Sequence, residues 1–494
     1  MKYRGQNRIF LLLFIIVPCI LIVTLVVTRI RVNHHKTPIC KDCNVVLISL
    51  DTLSANHLPC YGYERDTAPF LCSFAKKNIM FKNMFSNSNT TLPSHVSMLT
   101  GLYPSSHKVN LANVDSLSPT MPFLPKILQD NGYLTHFYFT LSDPSNLPVD
   151  KVFYRGINTI TSVDHPRDWK RGLDLLDANN TKGEKTFLFL HSYWVHSPYI
   201  LENKDNLVFG KSMDKGRIPS TWNTLTSCTP EYLSYLEDAI KEDIDNVYWG
   251  GENDSLYIDL YKDLSEINRD DPVEASKLCA EDRYALAFSL YFRSYYSYLL
   301  RSMDMKDALF MTNLYDSKIK ELDGYIQETV SHILNSKLKK NTVIIITSDH
   351  GEEFMEHGLW EHGKNLYDTS VKVPLILFIP GYTTAETDIL AQSVDIVPTI
   401  LKIIGIPNPS MTDGKDLFSK QPRELYVIAE KTIDSIKTIR DSQWKLHIST
   451  KTGDNIPYEL YDIIRDPNEM NNVIFLHPNI VKKLIDALSK IESR

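Results

Sequence analysis

Apolar residues in this chain fall into short runs separated by stretches of helical spacing, with one long exception near the start. In NVVLISLDTL the run Val45-Val46-Leu47-Ile48 is apolar at every residue, as a strand buried on both faces requires, and it ends in Asp51. KTFLFLHSYWVHSPY repeats the pattern and ends in His191 and His196. Val343-Ile344-Ile345-Ile346 repeats it before Asp349-His350-Gly351, and Val373 to Phe378 predicts one more strand. Helical spacing fills the intervals. PFLPKILQDNGYLTHFYF reads as helix, glycine stop and strand, and MTNLYDSKIKELDGYIQETVSHIL sets Leu314, Ile319, Leu322, Ile326 and Val330 on one face. Buried strands alternating with helices predict an α/β domain around a central, mostly parallel sheet. In such sheets ligands gather at the carboxyl ends of strands, which is where Asp51 and Asp349 fall. Asp51 is also compatible with a plain helix cap, and His191 and His196 with satisfied core histidines.

The long exception lies between Arg8 and Arg29, twenty residues without a charge. At about 1.5 Å per residue they make about 30 Å of helix, one bilayer core. No small-x-small cleavage site precedes Arg29, so the run reads as an uncleaved signal anchor. The expectation is a single-pass membrane protein, with residues 1–36 as cytoplasmic tip and transmembrane anchor, 37–43 as linker, and the large domain on the extracytoplasmic side. Flanking charge does not fix that orientation: a long domain following a signal anchor is commonly translocated.

With 494 residues, 43% of them hydrophobic and 23% charged, the chain can bury a large core. A formal charge of −7 and the lack of a basic tract exclude a general nucleic-acid binder. Cys40-x-x-Cys43 has no second pair at zinc-ligand spacing, which leaves a small disulfide loop or two free thiols. A glycan on the sequon at Asn89 would crowd the turn that follows. Residues 201–310 read as an insertion. Its aromatic stretch RYALAFSLYFRSYYSYLLRSM is either a packed helix or a substrate cap or membrane-facing surface.

NTTLPSHVSMLTGLYP, residues 89–104, reads as a hydroxyl-bearing turn leading into a helix. Ser94 is the expected N-cap with Pro93 just outside the helix, and Gly101 the residue that closes it. A hydroxyl at a helix N-terminus lies near the positive end of the helix dipole, which suits an anionic ester. With these residues the chain resembles the sulfatase family of the alkaline phosphatase superfamily. The family's nucleophile-x-Pro-Ser-Arg turn and Leu-Thr-Gly-x-x-Pro helix end are matched by Thr91-Leu92-Pro93-Ser94-His95 and by Leu99 to Pro104. Its His-x-Pro-Tyr segment is matched by His196 to Tyr199. Asp-His-Gly-Glu, Glu-His-Gly, His-Gly-x-x-Leu-Tyr-Asp and Val-Pro-Leu follow in the same order from Asp349 to Leu375.

The resemblance covers about residues 44–200 and 310–475. It implies an alkaline-phosphatase-like α/β/α sandwich, with a catalytic domain at 44–405 and a C-terminal subdomain at 406–494 carrying its own small sheet. SVDIVPTILKIIG would be a helix of the former, and SQWKLHI and YELYDI strands of the latter. At these positions Asp51, Asp349 and His350 offer two carboxylates and an imidazole to one divalent metal, and Thr91 adds the oxygen that attacks. His196 is assigned to the transferring oxygens and His362 to the leaving group, with Lys364 as the alternative; His95 and His191 are candidate substrate contacts.

Four departures shape the expectation. Thr52 stands where many relatives have a second Asp, Trp194 where relatives often have an Asp, and His95 where they have an Arg. Thr91 would yield a ketone where Cys or Ser yields the aldehyde, so no formylglycine is expected. An imidazole gained and a carboxylate lost favour manganese or zinc over calcium or magnesium. The expected activity is hydrolysis or transfer at a phosphate or sulfate ester through a covalent Thr91 intermediate, with phosphodiester or phosphonate ester favoured on chemistry. The alternatives are a sulfuric ester hydrolase working without formylglycine and a degenerate binding protein on the same fold. The expected partners are a small-molecule, lipid or glycan ester and, through the N-terminal helix, the membrane; the oligomeric state is left open.

Overall fold

A computed structural model describes residues 39–110, 117–139, 155–163, 165–197, 199, 201–202, 206–210, 305–382, 385–419, 427–431, 436–451 and 455–493. Eight strands build the main sheet: β1 (Asn44–Leu50), β2 (Ile79–Phe85), β3 (Tyr133–Phe139), β4 (Thr159–Ser162), β5 (Lys185–Ser192), β6 (Thr342–Thr347), β7 (Lys372–Phe378) and β8 (Ala385–Gln392). Their order is β4-β3-β5-β1-β6-β7-β2-β8. Every pairing is parallel except the two made by β7, which runs antiparallel to β6 and β2.

The all-apolar strands sit where a sheet is covered on both sides. β1 is buried along its whole length between β5 and β6. Successive side chains leave a strand on opposite faces, so Val46, Ile48 and Leu50 enter one core and Val45 and Leu47 the other. The first core packs against α1 (Pro69–Ala75), α4 (Trp169–Thr181) and α5 (Met305–Leu334); the second against α2 (Thr91–Thr100), α3 (Leu124–Asp130) and α6 (Ile396–Ile404). Each fully buried Leu, Ile or Val contributes about 1.5–3 kcal/mol. The result is a three-layer α/β/α sandwich with a mostly parallel sheet, as expected.

A second, antiparallel sheet follows near the C-terminus in the order β12-β11-β10-β9, formed by β9 (Val427–Lys431), β10 (Ile436–Arg440), β11 (Trp444–Ser449) and β12 (Ile456–Asp462). Leu484 and Leu488 of α7 (Pro478–Glu492) join its core with Ile439, Leu446, Ile448 and Leu460. A buried ionic cluster fastens it to the segment that leads into β7. Arg440 reaches Asp368 at 2.7 Å, and Lys445 reaches Asp368 at 2.8 Å and Glu469 at 2.7 Å.

Three expectations change. Helix α2 begins at Thr91, so Ser94 lies inside the first turn and Pro93 is the helix's third residue. First-turn N–H groups have no acceptor within the helix, so Pro93 forfeits no bond there. Ser94 gives its hydroxyl to the Ser88 carbonyl at 3.0 Å, and Gly101 closes the helix at φ 71°. Asn89 is fully buried and donates its amide to the Asn365 carbonyl, which leaves no room for a glycan in the folded protein.

The third correction concerns the membrane. Among the described residues no helix is long and apolar enough to cross one, and the transmembrane anchor, the single-pass placement and the membrane partnership are withdrawn on that finding. The longest of these helices, α5, carries charged residues along its length, Asp316, Lys318, Lys320, Glu321 and Asp323 among them. The run between Arg8 and Arg29 lies outside the described residues, as do 211–304 of the insertion. Of the cysteines, Cys40 pairs with Cys43 and Cys60 with Cys72, so the first motif is a small disulfide loop.

Candidate active site

Three adjacent strands set the level of the site. Ser49 of β1 lies opposite His191 of β5 on one side and Thr347 of β6 on the other. Residues at the three carboxyl ends therefore emerge together: Asp51 after β1, His191 near the end of β5, and Asp349 and His350 after β6. All four are fully buried. Helix α2 brings the partly exposed Thr91 to the same point as its first residue.

Hydrogen bonds decide which atoms remain available. Asp349 Oδ1 accepts from the backbone N–H of His350 at 2.9 Å and of Thr52 at 3.3 Å. Asp51 Oδ2 pairs with His191 Nε2 at 3.3 Å. His350 Nδ1 donates to the Gly351 carbonyl at 2.9 Å, which leaves the lone pair on Nε2. That nitrogen stands 3.4 Å from Thr91 Oγ1, 3.4 Å from Asp349 Oδ2 and 3.8 Å from Asp51 Oδ1. Among the described residues, Asp51 Oδ1 and Asp349 Oδ2 are buried without a hydrogen-bond partner. Each such orphan costs free energy unless something else satisfies it. Asp51, Asp349 and His350 bring one ligand atom each to within 4.8 Å of one another. Two orphaned carboxylate oxygens and an imidazole lone pair converging in a buried site are a donor set that suits a divalent cation.

The electrostatics agree. Burial pushes the Asp349 carboxyl up, and the neighbouring Asp51 pushes it further. Burial acts the same way on Asp51, but the His191 hydrogen bond and the charge of His350 outweigh it and hold Asp51 low. For His350 burial opposes the charged ring, yet the carboxylates of Asp349 and Asp51 prevail and raise its pKa. Two carboxylates and a ring so coupled form a site that favours added positive charge.

The departures find their places around this centre. Thr52 gives its hydroxyl to the Val195 carbonyl at 2.9 Å and offers no oxygen to the centre. Trp194 packs against His165 with ring centroids 4.4 Å apart, and the Lys318 ammonium lies 3.3 Å from its ring. His95 is buried beneath Thr91: its Nδ1 donates to the Thr91 carbonyl at 2.9 Å and its Nε2 meets Ser49 Oγ at 2.9 Å. Burial pushes its pKa down to about 4, so the ring is neutral. His191 stacks on Phe139 at 4.2 Å and holds Asp51. Both histidines thus face the machinery from below.

The second half of the site comes from the loop after β6. Gly351 is required there because a Cβ would lie 2.1 Å from the Thr369 carbonyl oxygen. His362 sits between Glu361 at φ 58° and Gly363 at φ 80°, and a Cβ on Gly363 would lie 3.3 Å from the Thr90 methyl. That close approach brings the His362 ring to 4.4 Å from His350 and 5.0 Å from His196. Lys364 is exposed at the rim, where its charge bears on Glu361. His357, of the same segment, pairs with Glu353 at 2.7 Å and stacks on Tyr367 at 3.7 Å, toward the C-terminal sheet.

The sulfatase family model matches residues 43–406. The chain belongs to the sulfatase family, within the alkaline phosphatase superfamily. A model for the C-terminal part of N-sulphoglucosamine sulphohydrolase matches residues 355–494 of this sulfatase. The uncharacterized sulfatase YidJ of Escherichia coli K12 is 23% identical over 480 residues, spanning 90% of this chain and 86% of its own. Arylsulfatase K of Gallus gallus is 22% identical over 487 residues, with 93% and 83% covered. Among solved structures, the phosphonate monoester hydrolase of Agrobacterium radiobacter shares the fold at a TM-score of 0.61 and 16% identity, covering 91% of this chain and 95% of that one.

Residues that reading the sequence did not single out complete this sulfatase's site. Ser49 braces His95, and Glu352, fully buried, bonds His362 Nδ1 at 3.1 Å and accepts from the Tyr199 hydroxyl at 2.9 Å. Ser197 binds Glu361 at 3.0 Å. Ser49 showed in the sequence only as a residue of the first buried strand, Glu352 as the last residue of the Asp-His-Gly-Glu match, and Glu361 as a residue of the segment from Asp349 to Leu375.

Proposed function

We propose that this sulfatase-family hydrolase acts on its ester by covalent catalysis at Thr91. The observation that carries the reading is the placement of the Thr91 hydroxyl, at a helix N-terminus and 3.4 Å from His350 Nε2, beside two orphaned carboxylate oxygens. Asp51, Asp349, His350 and Thr91 would hold the divalent ion; when bound it lowers the pKa of an alcohol and offsets the charge of the ester. Two carboxylate oxygens, one imidazole and a hydroxyl suit manganese or zinc. Thr91 Oγ1 passes its proton to solvent and bonds to the phosphorus or sulfur as the bond to the ester oxygen breaks. His362 supplies a proton to that departing oxygen, and His196 contacts the oxygens of the transferred group. Water then releases the group from Thr91. His191 positions Asp51, and Lys364 at the rim meets the anionic substrate. The catalytic unit in this reading is residues 44–405, with 406–494 as the C-terminal subdomain.

Phosphodiesters and phosphonate monoesters are the leading substrates, because an alcohol nucleophile suits phosphoryl chemistry; the fold shared with a phosphonate monoester hydrolase supports this. Sulfate esters are the second reading, favoured by the family and by the likeness to arylsulfatase K. A panel of phosphodiester, phosphonate monoester, phosphate monoester and aryl sulfate, run on wild type and Thr91→Ser, separates them. The reading expects turnover highest on one of the first two and measurable in the Thr91→Ser protein. Turnover confined to the aryl sulfate would hand the site to the second reading.

A further inference from the structure

We infer that Glu352 is a positioning residue that fixes the ring of His362 and assigns its Nε2 to the leaving oxygen. The inference rests on the reading of His362 as the proton donor and deepens it. Glu352 is fully buried, with Oε1 on His362 Nδ1 at 3.1 Å and Oε2 on the Tyr199 hydroxyl at 2.9 Å. Tyr199 is itself 1% exposed and packs against Tyr315 and Phe354, with ring centroids 5.5 and 5.8 Å away. A carboxylate taken out of water among such rings costs several kcal/mol, and stability alone gives no reason to prefer it to an amide or an apolar residue.

The backbone places the ring where that bond matters. Left-handed residues flank His362 on both sides, and the close approach at Gly363 brings it beside Thr90 and so beside the nucleophile. With Glu352 ionised, its bond to His362 places hydrogen on Nδ1, so the nitrogen that meets the ester is Nε2. In the transfer step the bond from phosphorus or sulfur to the ester oxygen breaks and Thr91 Oγ1 takes the group. The Nε2 proton of the doubly protonated ring moves to the departing oxygen, and the ring keeps Nδ1–H on Glu352. Tyr199 holds the carboxylate from the other side. The arrangement is a carboxylate orienting an imidazole, with a tyrosine fixing the carboxylate.

The test uses leaving groups. A nitrophenolate departs without a proton, whereas an alkoxide needs one, so the ratio of alkyl-ester to 4-nitrophenyl-ester turnover reads the donor. Glu352→Gln should lower that ratio by about tenfold or more, part of the roughly 10²–10⁴-fold that a positioned general acid contributes. His362→Gln should lower it in the same direction. The double variant should fall no further than the lower single variant, because the two act as one unit. Tyr199→Phe, which keeps the packing, should lower it less, and this variant carries the test if Glu352→Gln does not fold. Equal loss on both esters in Glu352→Gln and Tyr199→Phe would make Glu352 structural and overturn the inference. An unchanged ratio in His362→Gln would instead overturn the assignment of His362 as donor.

Discussion

Replacing Asp349 with Asn should move two properties in opposite directions. Asp51 and Asp349 bring their oxygens within 4.8 Å of one another in a fully buried site. At an effective dielectric of about 20, like charges at that separation repel by about 3.5 kcal/mol. His191 and His350 face the same carboxylates and offset part of this, leaving the rest of the repulsion uncompensated in metal-free protein. Asn keeps the Oδ1 acceptor used by the backbone of His350 and Thr52, and puts an amide N–H₂ where Oδ2 now lies, 3.4 Å from His350 Nε2. Stripped Asp349→Asn should therefore melt above stripped wild type at pH 8. It should also lose the ion: saturating manganese or zinc at about 100 times Kd should stabilise wild type by about 2.7 kcal/mol and the variant far less. Thermal melts of both proteins, stripped and reloaded, measure the pair of shifts. A stripped variant that melts below stripped wild type and still gains from the ion would refute the assignment of these carboxylates as one cation site.

Two further outcomes follow from the same geometry. Gly351→Ala drives a Cβ to 2.1 Å from the Thr369 carbonyl oxygen, so it should cost about 3 kcal/mol, the upper end for overpacking, in melting experiments and reduce bound metal with it. The Asp368 carboxyl is pushed up by burial, but Arg440 and Lys445 outweigh that and hold it well below the usual range. Its contribution is thus complete above the ordinary value of about 3.9 and lost as pH falls below that. Asp368→Asn should cost about 3–5 kcal/mol at pH 7 and flatten the acid limb of the stability curve.

The strands were legible because a strand covered on both faces has to be apolar throughout, and the polar residue that ends it lies at the sheet's carboxyl edge. That logic puts Asp51, Asp349 and His350 just past the carboxyl ends of their strands. The start of α2 was not legible, since Pro93 fits equally outside a helix and within its first turn. The partners of His362 were hidden for another reason: Tyr199 lies 153 residues from Glu352, and no periodicity links them. Trp194 showed in the sequence only as a missing carboxylate; its ring is held by Lys318 of α5, far along the chain. The Cys60–Cys72 pairing was one of many connectivities open to the cysteines. The uncharged run between Arg8 and Arg29 matched a span in hydropathy and length, a reading withdrawn because no described helix is long and apolar enough to cross a membrane; the described helices bury their apolar faces against the sheet.

The central claim is that Thr91 carries the transferred group. Metal-loaded protein mixed with substrate, quenched in acid and digested should yield the peptide containing Thr91 at the mass of unmodified threonine plus phosphate, phosphonate or sulfate. Without substrate that peptide should have the mass of plain threonine. Thr91→Ala should give no adduct and lose at least about a hundredfold in turnover, about 3 kcal/mol of transition-state stabilisation. Full turnover by Thr91→Ala, with no adduct in wild type, would contradict the account and make water the nucleophile.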